Sequence, residues 1–114
     1  MLGTHNRLRD NNELLYVLKK GKRHYSGGVL LYWIDNNIPY VRCGFIVGKK
    51  FSPLAVKRNK QKRILRSAVK NILPKIAPGK DIVISYINHG KILSYAESKK
   101  VILHALKKNN LIIK

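Results

Sequence analysis

Four cationic side chains recur at every fourth position between residues 57 and 70: Arg58, Lys62, Arg66 and Lys70. In a helix of about 3.6 residues per turn, this spacing places them in one stripe. Like charges four residues apart weaken a helix, so an all-cationic stripe has a cost. The planar donor fork of arginine matches the oxygens of phosphate. The stripe therefore predicts a helix face that binds the phosphates of a polyanion.

The rest of the same segment divides into an apolar side and flanking polar residues. The apolar residues share one side and are expected to dock on a sheet: Ile64, Leu65, Ala68, Val69 and Ile72. Asn59 and Arg63 flank the cationic stripe. A solvated basic face and a helix lying on a membrane are the alternatives. The first leaves the cost of the like charges unexplained, and the second needs the apolar side that the core requires.

The charge balance of the whole chain favours the same kind of partner. Twenty-four Lys and Arg face five acids, which gives a formal charge of +19 over 114 residues. Self-repulsion of this size works against compactness unless a polyanion offsets it. No acid occurs between Asp35 and Asp81. The hydrophobic share of 45% is ordinary, and residues 1–114 fit a single domain.

Side chains that could activate water are not grouped along the chain. The five acids are scattered, and the four histidines lack the spacing of metal ligands. Cys43 lies in the apolar run 41–47, so we expect a buried structural thiol. The sequence therefore predicts neither catalytic residues nor a metal site in the protein itself.

The first ten residues carry no apolar signal-peptide core. No apolar run approaches the roughly 18 residues that a membrane span needs. We therefore expect a cytoplasmic protein with no membrane association.

Capping and turn signals predict the elements before the cationic helix. Asp10 followed by Glu13 forms a capping-box-like pattern, and Gly21 offers a stop for a short first helix. Residues 29–34 and 40–47 predict two strands that pair antiparallel across the turn 35–37. A weaker signal for a further short strand covers residues 22–25.

Ser52 and Pro53 predict the start of the cationic helix, with Ser52 as the cap and Pro53 as the first helical residue. Pro74 opposes continuation, so the helix is expected to end near Ile72.

Residues 81–87 predict a third strand, and Ser94 with Glu97 predicts a capping box for a last helix that runs to about Lys108. The order α-β-β-α-β-α indicates the α+β class. We expect a small two-layer sandwich with the basic helix packed on the sheet.

Two runs of fixed spacing carry a family signature. Residues 42–50 are RCGFIVGKK, and residues 55–66 are AVKRNKQKRILR. They match the pattern Arg-x-Gly-[Leu/Phe]-x-Val-x-Lys-Lys, a short loop, then Ala-Val-x-Arg-Asn-x-x-Lys-Arg-x-x-Arg. In this the chain resembles the bacterial ribonuclease P protein family. Weaker matches at residues 6–8, 20–22 and 79–83 extend the resemblance over nearly the whole chain.

The resemblance implies a ribosomal-protein-like fold in which the basic helix crosses between parallel strands with the rare left-handed sense. It implies that this helix contacts the catalytic RNA of ribonuclease P. A cleft between the first helix and the sheet would hold the single-stranded 5′ leader of precursor tRNA. The RNA subunit would perform the hydrolysis with bound Mg²⁺, and the protein would improve substrate binding and metal affinity. No protein partner is implied.

Position by position, the resemblance assigns residues to two surfaces. The positions matching the RNA-contacting motif are Arg58, Asn59, Lys62, Arg63 and Arg66. The positions matching the leader cleft are Leu14, Leu18, Tyr32, Lys49 and Lys50. Two departures stand out: family members often carry Phe where this chain has Leu14 and Leu18, and the loop 51–54 is one residue longer than usual.

A ribosomal or ribosome-assembly RNA-binding protein without an enzymatic role is the alternative, because it would share the charge and the fold class. The pattern across residues 42–66 favours the ribonuclease P reading. A nucleoid DNA-binding protein is disfavoured because the sequence shows no helix-turn-helix pattern.

Overall fold

The computed structural model describes residues 6–88 and 90–113. In chain order the elements are α1 (Asn11–Lys20), β1 (Lys22–Ser26), β2 (Val29–Asp35), β3 (Arg42–Val47), α2 (Ala55–Ile72), a 3₁₀ turn (Leu73–Lys75), β4 (Lys80–Tyr86) and α3 (Tyr95–Lys108). The predicted α+β class is confirmed, and the weakly signalled extra strand is β1. None of the helices in the described ranges is long and apolar enough to cross a membrane.

The four strands form one sheet in the order β1-β2-β4-β3. β2 is antiparallel to both β1 and β4, whereas β3 is parallel to β4. The prediction that the strands now called β2 and β3 pair with each other is therefore wrong, because β4 lies between them. A parallel neighbour needs a long crossover connection, and here α2 supplies it.

The loop between β2 and β3 is built to pass over the start of β4. The backbone N–H of Asn36 donates to the carbonyl of Gly79 at 2.9 Å, and its side-chain amide donates to the Asp81 carboxylate at 2.8 Å. The backbone N–H of Gly79 in turn donates to the carbonyl of Tyr40 at 3.3 Å. Asn36, part of the predicted tight turn at residues 35–37, thus holds a wider crossing.

The antiparallel partner that β2 does have is joined to it by a two-residue turn. Gly27 and Gly28 adopt φ of 54° and 86°, the left-handed region that hairpin turns of this kind require. At Gly28, a Cβ atom would lie 2.5 Å from the Asn88 side chain. Both reasons favour glycine at this turn.

Helices cover both faces of the sheet, so α1 adds a layer to the predicted sandwich of a sheet and the basic helix. α1 packs on one face, over a small core that contains Leu8, Val17 and Val83. α2 and α3 pack on the other face, over a larger core that includes Leu65, Ile102 and many strand residues. Alternate residues of β2 and β4, and of β3 along most of its length, serve the two cores.

Gly44 allows α1 to approach the sheet. A Cβ atom on Gly44 would lie 2.4 Å from a methyl group of Leu14 and 2.8 Å from the carbonyl oxygen of Leu8. A side chain here would push α1 and the segment before it away from β3. The glycine of the family pattern therefore sets the distance between the first helix and the edge strand.

The helix caps confirm the prediction for α3 in full and the prediction for α1 in part. Ser94 and Glu97 form the predicted capping box of α3. Asp10 caps α1 by accepting the backbone N–H of Asn12 at 2.8 Å, but Glu13 bonds Arg42 instead of completing a box. The guanidinium competes successfully because it offers a charged donor.

The start of α2 differs from the prediction. The helix begins at Ala55 with Leu54 as its N-cap and no side-chain cap, so Ser52 is not the cap and Pro53 is not the first helical residue. The Ser52 hydroxyl accepts the backbone N–H of Leu54 at 3.1 Å, a local turn before the helix.

Candidate nucleic-acid interface

α2 presents the predicted division between a buried side and a cationic side. Gln61, Leu65, Ala68, Val69 and Ile72 are buried, whereas Ile64 of the predicted apolar side is only partly buried. The positions matching the RNA-contacting motif all lie off this buried side. Asn59 and Arg63 are exposed, and Arg58, Lys62 and Arg66 are partly buried.

Gln61 is the residue of α2 that sequence reasoning missed. Its side chain is fully buried, and its amide donates to the carbonyl of Leu93 at 3.1 Å. The backbone N–H of Leu93 donates back to the Gln61 side-chain oxygen at 2.7 Å. This pair of bonds ties α2 to the segment before α3. The signal was its spacing, since Gln61 lies four residues before Leu65 on the apolar side.

The cationic stripe is held by contacts within the protein. The Arg58 guanidinium donates to the carbonyl of Ser52 at 3.0 Å, which fixes it over the turn before the helix. The Arg66 guanidinium lies 5.7 Å from the centre of the Phe45 ring, a cation–π arrangement. These cations are therefore partly ordered before any partner arrives.

A cationic pocket of about 300 Å³ lies where α2, α1 and the edge strand β3 meet. Its charged lining residues are Arg7, Arg9, Lys62 and Arg66. Desolvation, and then the nearby Arg7, lower the pKa of Arg66. Positive charge is thus concentrated in a partly enclosed space.

An apolar groove of about 360 Å³ continues from the cationic pocket along β3. It is lined by Asn11, Leu14, Leu15, Leu18, Phe45, Ile46, Val47 and Lys62. The pocket and the groove share Lys62, Phe45 and Leu14. The cationic face of α2 and the predicted leader cleft are therefore continuous.

The structure brings together only some of the residues predicted for the leader cleft. Leu14 and Leu18 line the apolar groove. Tyr32 lies on the same face of the sheet, packed against the small core under α1, but is not among the residues that line the groove. Lys49 and Lys50 are exposed on the turn just beyond the end of β3.

Arg42, the first residue of the family signature, is used inside the protein. Its guanidinium donates to both carboxylate oxygens of Asp81, at 2.8 and 2.6 Å, and to Glu13 at 3.0 Å. These bonds, Asp81 foremost, raise the pKa of Arg42 above its already high value. Arg42 thus joins α1 to the two parallel strands.

The five acids all have positions in the folded structure. Asp10 and Glu97 cap helices, Glu13 and Asp81 pair with Arg42, and Asp35 pairs with Lys80. Within residues 6–88 and 90–113, no three His, Cys, Asp or Glu side chains come close enough to hold a metal ion. Burial raises the pKa of the Cys43 thiol to about 12, which makes it unreactive at neutral pH.

The fold and this surface define a class: a small α+β protein with a cationic helix face beside an apolar groove. The family model described as Ribonuclease P matches residues 2–110. The ribonuclease P protein component of Geobacillus kaustophilus is 35% identical over 104 residues, covering 90% of this chain and 85% of that protein.

Two solved structures agree with the sequence comparison. The Staphylococcus aureus RNase P protein has a TM-score of 0.81 and 28% identity, covering 93% of this chain and 96% of that one. The Thermotoga maritima RNase P protein has a TM-score of 0.77 and 28% identity, covering 90% and 96%. The chain belongs to the ribonuclease P protein family. Ribonuclease P is a ribonuclease, so the chain is a component of an enzyme complex.

Proposed function

We propose that the chain binds the catalytic RNA of ribonuclease P through α2 and binds the 5′ leader of precursor tRNA in the groove beside it. It assists endonucleolytic removal of the leader, and the RNA subunit performs the hydrolysis. Mg²⁺ is held mainly by the RNA. The place of action is the cytoplasm, where precursor tRNA is made.

The observation that carries the proposal is the unneutralised face of α2. Arg58, Lys62 and Arg66 follow one another along the helix, and each of the five Asp and Glu side chains is engaged elsewhere. A helix of this kind gains stability from an anionic partner, because phosphates replace the missing acids. Asn59 and Arg63 extend the face with exposed donors.

The mechanism follows from charge. Catalytic RNA and precursor tRNA repel each other, and divalent ions or protein cations relieve that repulsion. A protein of formal charge +19 that contacts both RNAs lowers the requirement for divalent ions. The side chains of the protein bind the two RNAs and orient them relative to each other.

The leader part of the proposal rests on the apolar groove. Leu14 and Leu18 present aliphatic surface on which unstacked bases can pack, and Lys62 stands at its edge. Aliphatic packing lacks the aromatic face that makes base stacking worth about 1–3 kcal/mol per base. Leader binding is therefore expected to depend more on phosphate contacts than on stacking.

A cleavage assay across Mg²⁺ concentrations tests the proposal. The protein alone should leave precursor tRNA intact. Added to the cognate catalytic RNA, it should lower the Mg²⁺ needed for cleavage, and more so for a leader of several nucleotides than for one nucleotide. Cleavage by RNA-free protein would contradict the assignment of catalysis to RNA. Equal benefit for both leaders would remove the leader groove from the proposal.

A charge-matched pair of variants tests the role of α2. Arg58→Ala with Arg66→Ala should weaken binding to the catalytic RNA and reduce its salt slope by roughly two, since fewer counterions are released. Lys107→Ala with Lys108→Ala removes the same charge from α3 and should change the slope little. Circular dichroism checks that both fold. Equal effects in the two pairs would mean that α2 is not the interface.

A further inference from the structure

We infer that the cationic pocket beside β3 binds one phosphodiester group of a single-stranded RNA, held by Arg7, Lys62 and Arg66. The identity of the RNA rests on the proposed function, whereas the anion site rests on the geometry of the pocket. Arg7 is an addition to the predicted interface, which took its cations from α2 and from residues 49 and 50.

The composition of the pocket selects an anion. Arg7, Arg9, Lys62 and Arg66 supply its charge, and the remaining lining residues are apolar or uncharged: Leu8, Asn11, Leu14, Cys43, Gly44 and Phe45. The lining contains no carboxylate. Four cations on two separate segments, the stretch before α1 and helix α2, face one another without a counterion from the pocket lining, so an outside anion would offset their repulsion.

Arg7 carries the most specific sign of a missing ligand. Its Nε atom is buried and has no hydrogen-bond acceptor in the structure. Buried donors in folded proteins are almost always paired, so an orphaned guanidinium N–H in a cationic pocket indicates a place for an acceptor. Phosphate oxygens are such acceptors, and guanidinium groups bind them well.

The backbone holds Arg7 in place for this role. Residue 7 forms a parallel bridge with Cys43 of the edge strand, and the next N–H, from Leu8, donates to the Cys43 carbonyl at 2.9 Å. The side-chain amide of Asn6 donates to the carbonyl of Val41 at 2.8 Å. Hydrogen bonds therefore hold the segment along β3, so the backbone of Arg7 is positioned without RNA.

Arg66 supplies the opposite wall of the pocket. It is held over the Phe45 ring, and its partial desolvation beside Arg7 disfavours its charged form. A bound phosphate would relieve both costs at once, because it sits between the two guanidinium groups as a shared counterion.

The adjoining groove indicates that the phosphate belongs to a single strand. Lys62, Leu14 and Phe45 line both cavities, so a nucleotide anchored by its phosphate can place its base against the aliphatic groove. In a duplex the bases are paired and turned inward, away from such a surface. Single-stranded RNA offers both a phosphate and an unstacked base.

The test uses NMR of the arginine Nε–H groups in the full chain, titrated at constant ionic strength with inorganic phosphate and with the dinucleotide UpU. The Arg7 Nε–H signal should shift downfield and exchange more slowly with both probes. Arg7→Met and Lys62→Met should each weaken binding of UpU at least tenfold. Lys108→Met, which removes one charge from α3, should change it less than twofold.

The outcomes separate this inference from the proposed function. An Arg7 signal that does not respond, or equal losses in Lys62→Met and Lys108→Met, overturns the pocket. A response to inorganic phosphate but not to UpU overturns the RNA assignment. If the pocket fails while the protein still binds the catalytic RNA and lowers its Mg²⁺ requirement, the proposed function stands. If UpU binds as expected but the catalytic RNA does not, the proposed function fails and the pocket stands.

Discussion

Removing Arg42 should destabilise the protein far more than removing Glu13, the more exposed of its two carboxylate partners. Arg42→Met keeps most of the aliphatic stem and deletes the guanidinium. Asp81, whose side chain is only 9% exposed, then loses both of its arginine bonds and keeps the Asn36 amide. Leaving a buried charge without its partner typically costs about 3–5 kcal/mol.

The structure places the expected value at the lower end of that range. The Arg42 side chain is 22% exposed, and the surviving Asn36 bond partly compensates the carboxylate. We therefore expect a loss of about 3 kcal/mol in the free energy of unfolding. Glu13→Gln breaks only the 3.0 Å pair to a carboxylate that is 44% exposed, so it should cost less than about 1 kcal/mol.

Urea denaturation followed by circular dichroism measures both variants. A loss of about 3 kcal/mol is a large share of the stability of a small domain and moves the midpoint by about 1–3 M urea. Asp81→Asn in the Arg42→Met background should recover part of the loss, because it removes the uncompensated charge. If Arg42→Met costs no more than Glu13→Gln, the buried Arg42–Asp81 pair contributes no more to stability than the exposed Glu13 pair.

Three further variants and probes check other parts of the structure. Gln61→Leu should cost about 2–4 kcal/mol in urea denaturation, because both backbone groups of Leu93 lose their buried partners; a cost below that of the exposed change Lys60→Leu would contradict this. Cys43, with its pKa raised to about 12, should react with a thiol reagent at pH 8 only as fast as the protein unfolds, and fast labelling of native protein would refute burial. Since the unfolded thiol titrates near 9.0, this group also lowers stability as pH rises above that value. Leu18→Phe should fold normally and tighten binding of leader-containing substrate; lost thermal stability without that gain would place Leu18 in the core.

Local signals in the sequence were sufficient for the elements but not for their pairing. The capping box at Ser94, the proline after Ile72 and the length of α1 follow from chemistry within a few residues, and the structure confirms them. The partner of β2 does not follow from such local signals. β4, which begins 45 residues after β2 ends, takes the place beside it. Adjacent strands with a turn between them predict a hairpin only when no later strand competes.

The candidate site divides in the same way. The stripe of α2 was predictable, because helical periodicity alone places Arg58, Lys62 and Arg66 together. The contribution of Arg7 was not, because it depends on a parallel bridge to the far side of the edge strand. Arg42 belongs to the same signature as these cations, yet its partners Glu13 and Asp81 are 29 and 39 residues away, so its internal role could be seen only in the folded chain.

The placement of charges at the two ends of β3 predicts a path for a bound RNA strand. Glu13, Asp35 and Asp81 lie at the end of the sheet where β3 and β4 begin and β2 ends. Lys49 and Lys50 follow the opposite end of β3.

The three acids are already paired with Arg42 and Lys80, so that end offers phosphates little attraction, whereas Lys49 and Lys50 are exposed cations. We therefore expect a phosphodiester chain anchored in the cationic pocket to run along β3 toward the two lysines. Lys49→Ala with Lys50→Ala should then weaken binding of a six-nucleotide RNA while leaving UpU nearly unaffected, whereas Lys62→Met should weaken both. Fluorescence anisotropy of labelled oligonucleotides at fixed salt measures the two effects. A strand that runs the other way would show no loss with the lysine pair at either length.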